Sequence, residues 1–369
     1  MSQAQTGAKP IVEAKNLTVV YGGQKALDVP SFQVYDDEVL GIIGPNGSGK
    51  TTLLLCLTRL IKPQTGVVSY RGVPVIDSKS VLQLHRKLAV VFQESLLLNN
   101  SVWDNLVIGL KLRKVAAGEI KARAEKWLER FGIAALAKRQ ARTLSSGEAK
   151  RTSLARAFAL QPEVLYLDEP FTALDGPTRQ ALLEDFKSVL GETRITTVIV
   201  THDRNEALAL TDRVAVIMNG RIAQLGTPAE VFSSPANEEI ANFVETGNIV
   251  HGVVGTQSGG LASIKVGDHH IEVVSELPEG SKVILLMPYD DITIVLPPSG
   301  TMTTSARNRF PGEIVKMFPM GSQVRVTIDC GFPLTALITR RSAEEMGLKD
   351  GVRVLAMVKA VSIRVIGRH

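Results

Sequence analysis

VLGIIGPNGSGKT, residues 39–51, sets the first constraint on the fold. VLGIIG (39–44) runs without polar alternation, as a strand covered on both faces does. GPNGSGKT (44–51) matches G-x-x-x-x-G-K-[ST], directly after that strand and at the opening of a helix, the context that gives the pattern meaning. Gly44, Gly47 and Gly49 let the backbone curl so that successive N–H groups face one cavity. The helix beginning near Lys50 adds its positive dipole end at the same place. The stretch Gly44, Pro45, Asn46, Gly47, Ser48, Gly49, Lys50, Thr51 and Thr52 is therefore expected to cradle the phosphates of a nucleotide. Lys50 should reach the terminal phosphates, and Thr51 should help hold Mg²⁺.

Working outward, LAVVFQ (88–93), VLYLDE (164–169), TTVIVTH (196–202) and RVAVIM (213–218) read as further buried strands. EIKARAEKWLERFGI (119–133) and RTSLARAFAL (151–160) read as helices between them. Alternation of this kind argues for an α/β fold with a largely parallel sheet, while the opening segment at 11–34 alternates and looks antiparallel. After Phe243 the texture changes to short alternating strands such as IEVV (271–274), QVRVTI (323–328) and VRVLAMV (352–358), with helical periodicity confined to SAEEMG (342–347). EGSKVILLMPYDDITIVL (279–296) aligns with DGVRVLAMVKAVSIRVI (350–366), pairing Gly280 with Gly351 and Ile292 with Ile363. Two β-hairpins with generic alternation would look alike, but two similar small barrels in tandem explain more of the match. The expected domains are 1–245, an α/β nucleotide-binding domain, and two β subdomains at 246–300 and 301–369, joined by a linker at 297–301.

Composition narrows the class. With 369 residues, 44% hydrophobic and 21% charged, the chain has the make-up of a globular protein, which excludes disorder, collagen-like repetition and a disulfide scaffold. Its apolar runs fall short of the ~18–20 residues needed to span a bilayer. MSQAQTGAKP (1–10) lacks the apolar middle of a secretory signal, so a cytoplasmic location is expected. Cys56 and Cys330 show no metal-like spacing and fit a reducing compartment. The net charge of +5 hardly favours nucleic acid. It divides unevenly: 29 − 26 = +3 in residues 1–245, 2 − 6 = −4 in 246–304, and 11 − 5 = +6 in 305–369.

VLYLDEP (164–170) ends a strand in two carboxylates. Alone this would be an ordinary solvated strand end. After a phosphate loop it places Asp168 on the magnesium shell and Glu169 where it orients or deprotonates an attacking water. In ARTLSSGEAKRTSLARAFAL (141–160), Ser145 and Glu148 form a capping box that starts a helix. A well-capped helix is the plainer reading, but just upstream of Asp168 Ser145, the Gly147 backbone and the helix N-terminus together make a second anion site, with Ser145, Ser146, Gly147 and Glu148 as candidate nucleotide-binding residues.

GPNGSGKT, Gln93 in VVFQE, LSSGE (144–148), LDEP (167–170), ALD (173–175) and His202 in VTHD occur in the order found in ATP-binding cassette ATPases, which residues 10–245 resemble. The resemblance implies that Tyr21 stacks on adenine. It implies that Gln93 touches Mg²⁺ and the attacking water and senses the partner subunit, that Asp175 bridges the halves of a dimer, and that His202 contacts the γ-phosphate. It also implies a helical subdomain, with residues 101–110 gripping a membrane partner. The chain would then form a homodimer sandwiching two ATP, acting at the cytoplasmic face of the membrane. It would work with two transmembrane permease subunits and, indirectly, an extracytoplasmic binding protein, and not with nucleic acid. LSSGE departs from the usual LSGGQ: Glu148 keeps a capping role, whereas the Cβ of Ser146 sits close to the phosphates and could slow closure.

Residues 305–331, 336–348 and 354–366 resemble the small barrel (OB-like) of molybdate-binding proteins, on the SARN opening (305–308) and the late VKA (358–360). That resemblance implies an oxyanion importer, molybdate or tungstate, with an oxyanion held in the barrel by Ser305, Arg307, Arg340, Arg341 and Lys359. A solvated basic face is the plainer reading of those side chains. The same engine for iron, sulfate, polyamine or sugar is the main alternative. A soluble cassette ATPase of translation or DNA repair would carry two cassettes or a coiled-coil insertion, and a pure sensor would not need Lys50, Asp168 and Glu169. His269 and His270 read as surface histidines rather than metal ligands.

Overall fold

A computed structural model describes residues 9–297 and 303–368; the opening residues 1–8 and most of the expected linker, from Pro298 on, lie outside the described residues. The chain divides into two compact units, Met1–Val231 and Phe232–His369, so the division falls before the change of texture near residue 245.

The first unit opens with an antiparallel pair, β1 (Val12–Tyr21) and β2 (Gln24–Val34), followed by β3 (Val39–Ile43) and α1 (Lys50–Leu57). Next come β4 (Thr65–Tyr70), β5 (Val73–Pro74), α2 (Ser78–Lys87) and β6 (Leu88–Val91). A helical stretch holds α3 (Val102–Leu112), α4 (Ala117–Arg130) and α5 (Ser146–Ala159). β7 (Val164–Asp168), α6 (Gly176–Thr193), β8 (Thr196–Val200), α7 (Arg204–Leu210), β9 (Arg213–Met218) and β10 (Arg221–Gly226) follow. One sheet is antiparallel in the order β2-β1-β4-β5; the other runs β10-β9-β3-β8-β7-β6, parallel except for β10.

The unbroken apolar strands serve two cores at once, because successive side chains leave opposite faces of a strand. Along β7, Val164 and Tyr166 pack with α1 and the antiparallel sheet, while Leu165 and Leu167 pack with the helices. β8 divides the same way, Val198 and Val200 against Ile199. Each such fully buried side chain contributes roughly 1.5–3 kcal/mol. Trp127 of α4 and Phe158 of α5 meet with ring centroids 4.8 Å apart and anchor the helical subdomain.

In the second unit α8 (Pro228–Ser233), entered from the first, and α9 (Glu238–Val244) precede ten strands among the described residues. The first five are β11 (Gly247–Ser258), β12 (Leu261–Val266), β13 (His269–Val274), β14 (Lys282–Pro288) and β15 (Thr293–Val295). The others are β16 (Asn308–Met320), β17 (Gln323–Asp329), β18 (Pro333–Thr339), β19 (Arg353–Val358) and β20 (Arg364–Arg368), with α10 (Arg340–Glu345) before β19. The internal repeat is a repeat of elements: β14, a 3-10 turn at Tyr289–Asp291 and β15 recur as β19, a turn at Ala360–Ser362 and β20. Gly280 and Gly351 open both copies with matching φ of 82° and 84°.

The two copies exchange their last strands. The sheets run β13-β12-β11-β14-β20 and β15-β19-β16-β17-β18, so β20 completes the first and β15 the second. Neither 246–300 nor 301–369 is closed by its own strands alone. Each sheet ends in an edge strand met by an asparagine of the other copy. Asn308 Nδ2 donates to Glu272 O at 2.8 Å, and Glu272 N donates to Asn308 Oδ1 at 2.7 Å. Asn248 Nδ2 donates to Thr335 O at 2.8 Å, and Thr335 N donates to Asn248 Oδ1 at 2.7 Å. An amide side chain presents the same donor and acceptor as a peptide, so each clamp satisfies edge groups as a further strand would. His270 is exposed, as expected, but His269 is half-buried, its ring edge-on to Phe332 at 5.2 Å.

Candidate nucleotide site

The loop after β3 is shaped by glycines that cannot be replaced without cost. Gly49 caps α1 with φ 104°, and a Cβ there would lie 2.8 Å from Ala26 O. At Gly44 a Cβ would lie 2.2 Å from Ile217 O. Lys50 Nζ donates to Gly44 O and Pro45 O, both at 2.9 Å, so the ammonium lies along the loop with its charge retained inside the protein. Burial pulls the Lys50 pKa down, and the carboxylates of Glu169 and Asp168 oppose that shift.

β7 delivers its two acids to the same place. Thr51 Oγ1 donates to Asp168 Oδ2 at 3.0 Å and to Oδ1 at 3.2 Å. Burial pushes the Asp168 pKa up, while the Thr51 bond works against it. Glu169 sits at φ 45°, where its side chain turns off the strand: Oε1 lies 3.2 Å from His202 Nδ1, and Oε2 accepts from Thr172 Oγ1 at 3.1 Å. A cleft of about 670 Å³ is lined by Tyr21, Asn46, Gly47, Gly49, Lys50, Thr51, Thr52, Gln93, Glu169 and His202, together with Ala26 and Thr172. Tyr21 is 56% exposed at its rim, an aromatic face open to a stacking ligand. The oxygens of Thr51, Asp168 and Gln93 are the hard donors that Mg²⁺ takes, so the residues present fit that ion.

Gly44, Pro45, Ser48 and Asp168 form the loop and its backing rather than the cleft wall. Ser145, Ser146, Gly147, Glu148 and Asp175 are not gathered into the cleft lining. The capping box is formed as read: Glu148 N donates to Ser145 Oγ at 3.3 Å and Ser145 N to Glu148 Oε2 at 2.7 Å. Those bonds hold the Glu148 carboxyl below its usual range, with Arg139 Nη1 3.3 Å away. Ser146 is exposed. Asp175 caps α6 through Thr178 N at 3.0 Å, and a Cβ at Gly147 would meet Thr178 Cγ2 at 2.9 Å, so α5 and α6 present their N-termini side by side. Thr172 and Thr178 escaped the sequence reading; the only signal was a threonine three residues after each acid, Glu169 and Asp175.

The basic residues expected around an oxyanion are dispersed. Ser305, Arg307, Arg340, Arg341 and Lys359 are all exposed; Arg307 is paired with Glu272, and Arg341 Nε lies 2.7 Å from Glu345 Oε1.

Residues 27–172 match the ABC transporter family and residues 304–365 the TOBE domain. A molybdate/tungstate import ATP-binding protein of Pyrococcus horikoshii is 38% identical over 337 residues, 91% of this chain and 94% of its own. A sulfate/thiosulfate import ATP-binding protein of Mycolicibacterium paratuberculosis is 36% identical over 90% of this chain and 84% of its own. Among solved structures, an ATP-binding cassette captured as a dimer with ADP and phosphate superposes with a TM-score of 0.54 at 28% identity, over 59% of this chain and 98% of that one. A family model over the phosphate loop and paired acids, a second over the C-terminal β strands and a relative matched along nine-tenths of the chain together show that the protein belongs to the ATP-hydrolysing subunits of ABC importers, with a C-terminal TOBE domain.

Proposed function

We propose that the cleft binds Mg²⁺–ATP and that the signature of a second copy, Ser145 to Glu148, closes over it. The observation that carries this is the separation of the motifs: the loop, Gln93, Glu169 and His202 share one cleft, while Ser145–Glu148 and Asp175 stand outside its lining at the capped N-termini of α5 and α6. A nucleotide held by both requires two chains. The relative solved as a dimer with ADP and phosphate supports that arrangement.

Thr51 and Asp168, with Gln93, would hold Mg²⁺, which when bound neutralises charge on the phosphate oxygens. Lys50 and the loop amides position the phosphates, and Tyr21 offers its ring to the base. Glu169 takes the proton from the attacking water, with its carboxylate kept in orientation by His202 and Thr172. Closing and reopening of the dimer would drive two separate permease subunits at the cytoplasmic face of the membrane. Among the described residues no helix is long and apolar enough to cross a bilayer.

For the solute we propose molybdate or tungstate, supported by the relative matched along 91% of this chain. The sulfate relative, at 36% identity over 90% of the chain, favours a second reading with the same engine and another oxyanion. ATPase stimulation in the reconstituted transporter, by binding protein loaded with each anion in turn, separates them. Molybdate or tungstate should stimulate and sulfate should not; stimulation by sulfate alone establishes the second reading. An oxyanion bound in the TOBE region is tested by equilibrium binding of labelled tungstate to the full chain, against Arg340→Ala/Arg341→Ala, which should weaken it.

A further inference from the structure

One face of α5 carries donors aimed at the segment that bears Gln93. β6 ends at Val91, so the carbonyls beyond it have left the sheet ladder. Lys150 Nζ donates to Gln93 O, in a short contact, and to Phe92 O at 3.4 Å. One turn on, Ser153 Oγ donates to Ser95 O at 2.6 Å. Another turn on, Arg156 Nη1 donates to Leu96 O at 3.1 Å and Nη2 to Ser95 O at 3.2 Å. Residues three apart lie on one face of a helix, so 150, 153 and 156 form a stripe. That stripe takes four carbonyls between residues 92 and 96, while the Gln93 side chain lines the cleft.

Lys150 is the unusual member. It is 4% exposed, and burying an ammonium is costly unless its donors are satisfied. A neutral side chain of the same length would fill the space without that cost. The ammonium does what such a side chain could not: its separate N–H groups reach two successive carbonyls. Asp168 and Glu169 supply the negative field that favours its charged form against burial. α5 begins at the capping box of Ser145, so the helix that holds the Gln93 backbone is also the one that presents the signature.

We propose that Lys150, assisted by Ser153 and Arg156, is a positioning residue for hydrolysis: it fixes the backbone of residues 92–96 to the signature helix, so that Gln93 and Ser145 are set as one piece. This rests on Gln93 serving hydrolysis, as proposed above. Loss of the clamp leaves the phosphate loop intact but releases Gln93, so it acts on turnover rather than on nucleotide affinity.

The test is steady-state ATP hydrolysis by the full chain with Mg²⁺, for Lys150→Met, Lys150→Arg, Gln93→Ala and the double variant Lys150→Met/Gln93→Ala. Lys150→Met should lower kcat at least tenfold with KM for ATP within about twofold. Lys150→Arg, which keeps the charge and N–H donors, should return kcat to within about threefold of the original. The double variant should be no slower than Gln93→Ala alone, because Lys150 acts through Gln93. Losses that multiply, or a raised KM at unchanged kcat, overturn the proposal while leaving Gln93 in its role. Normal turnover by Gln93→Ala overturns both. Thermal melting shows whether Lys150→Met folds. Should it not, Ser153→Ala alone and combined with Gln93→Ala is judged by the same criterion of non-additivity.

Discussion

Among the described residues both units bury neutral polar side chains, but only the first buries charged ones. In the first, the buried charged side chains among the described residues are Glu38, Lys50, Lys150, Asp168 and Glu206, of which Lys50, Lys150 and Asp168 stand at or behind the cleft. In the second, among the described residues, the buried polar side chains are neutral: Thr246, Asn248 and Asn308. A desolvated charge destabilises unless it is partnered, and it concentrates field where chemistry needs it. A neutral amide facing a peptide costs less and fixes geometry. The first unit accepts the electrostatic cost of reacting with phosphate, and the second uses polarity to hold a strand-exchanged sheet pair in register.

The largest effect should follow from removing a charge in the first unit. Lys50→Met should reduce ATP turnover by at least about a hundredfold, roughly 3 kcal/mol of lost stabilisation, with an unchanged circular dichroism spectrum. Turnover near the original rate would remove the loop from the mechanism. In the second unit the corresponding cut is architectural. Asn308→Ala strips Glu272 N and O of their partner and should lower the stability of that unit by about 2 kcal/mol, leaving ATP hydrolysis by the first unchanged. Asn248→Ala should cost about as much, since it makes the same pair of bonds to Thr335 and adds only a long one from Nδ2 to Met287 O at 3.3 Å. A clear inequality between the two would break the symmetry drawn here between the copies.

A smaller effect concerns a charge in the first unit that serves structure. Glu163 meets Lys87 Nζ at 2.6 Å, Tyr70 Oη at 2.5 Å and Arg71 Nε at 3.1 Å, joining the antiparallel sheet and α2 to the foot of β7. Burial pushes its carboxyl up, but the bonds from Lys87, Tyr70 and Arg71 outweigh that and hold it at about 2, against an ordinary 4.5. A carboxyl lowered by folding stabilises above its unfolded pKa and loses that contribution as pH falls from about 4.5 towards about 2. After allowance for a side chain 31% exposed, the contribution is of the order of 1–2 kcal/mol. Urea melts of Glu163→Gln against the original should differ by that amount near neutral pH and converge near pH ~2.

These contrasts track what could be read from residues alone. The phosphate loop, the acids closing β7 and the capping box of α5 each depend on a few contiguous residues whose backbone requirement is local. All were legible for that reason. Thr172, Thr178 and Lys150 act through whichever backbone or carboxylate they face, and nothing in their neighbours along the chain states that. In the β unit, alternation located the strands and the repeat paired them. The exchange stayed hidden because β15 and β20 are equivalent copies, so the pattern of either suits both sheet edges. The basic cluster of 305–369 was legible as charge but not as a site: Arg307 is met by Glu272 from a distant strand, and Arg341 is taken up by Glu345 one helical turn on, a spacing that the sequence does state. His269 stands half-buried because Phe310 and Phe332, distant in sequence, pack around it.

The most direct measurement of the central claim, one cleft completed by a second copy, is the mass of Glu169→Gln in solution with and without ATP. Removing the base while keeping the nucleotide cradle should leave ATP binding intact and convert the chain from monomer to a long-lived dimer holding two ATP. Normal turnover by this variant, or a mass that stays monomeric at saturating ATP, would contradict it.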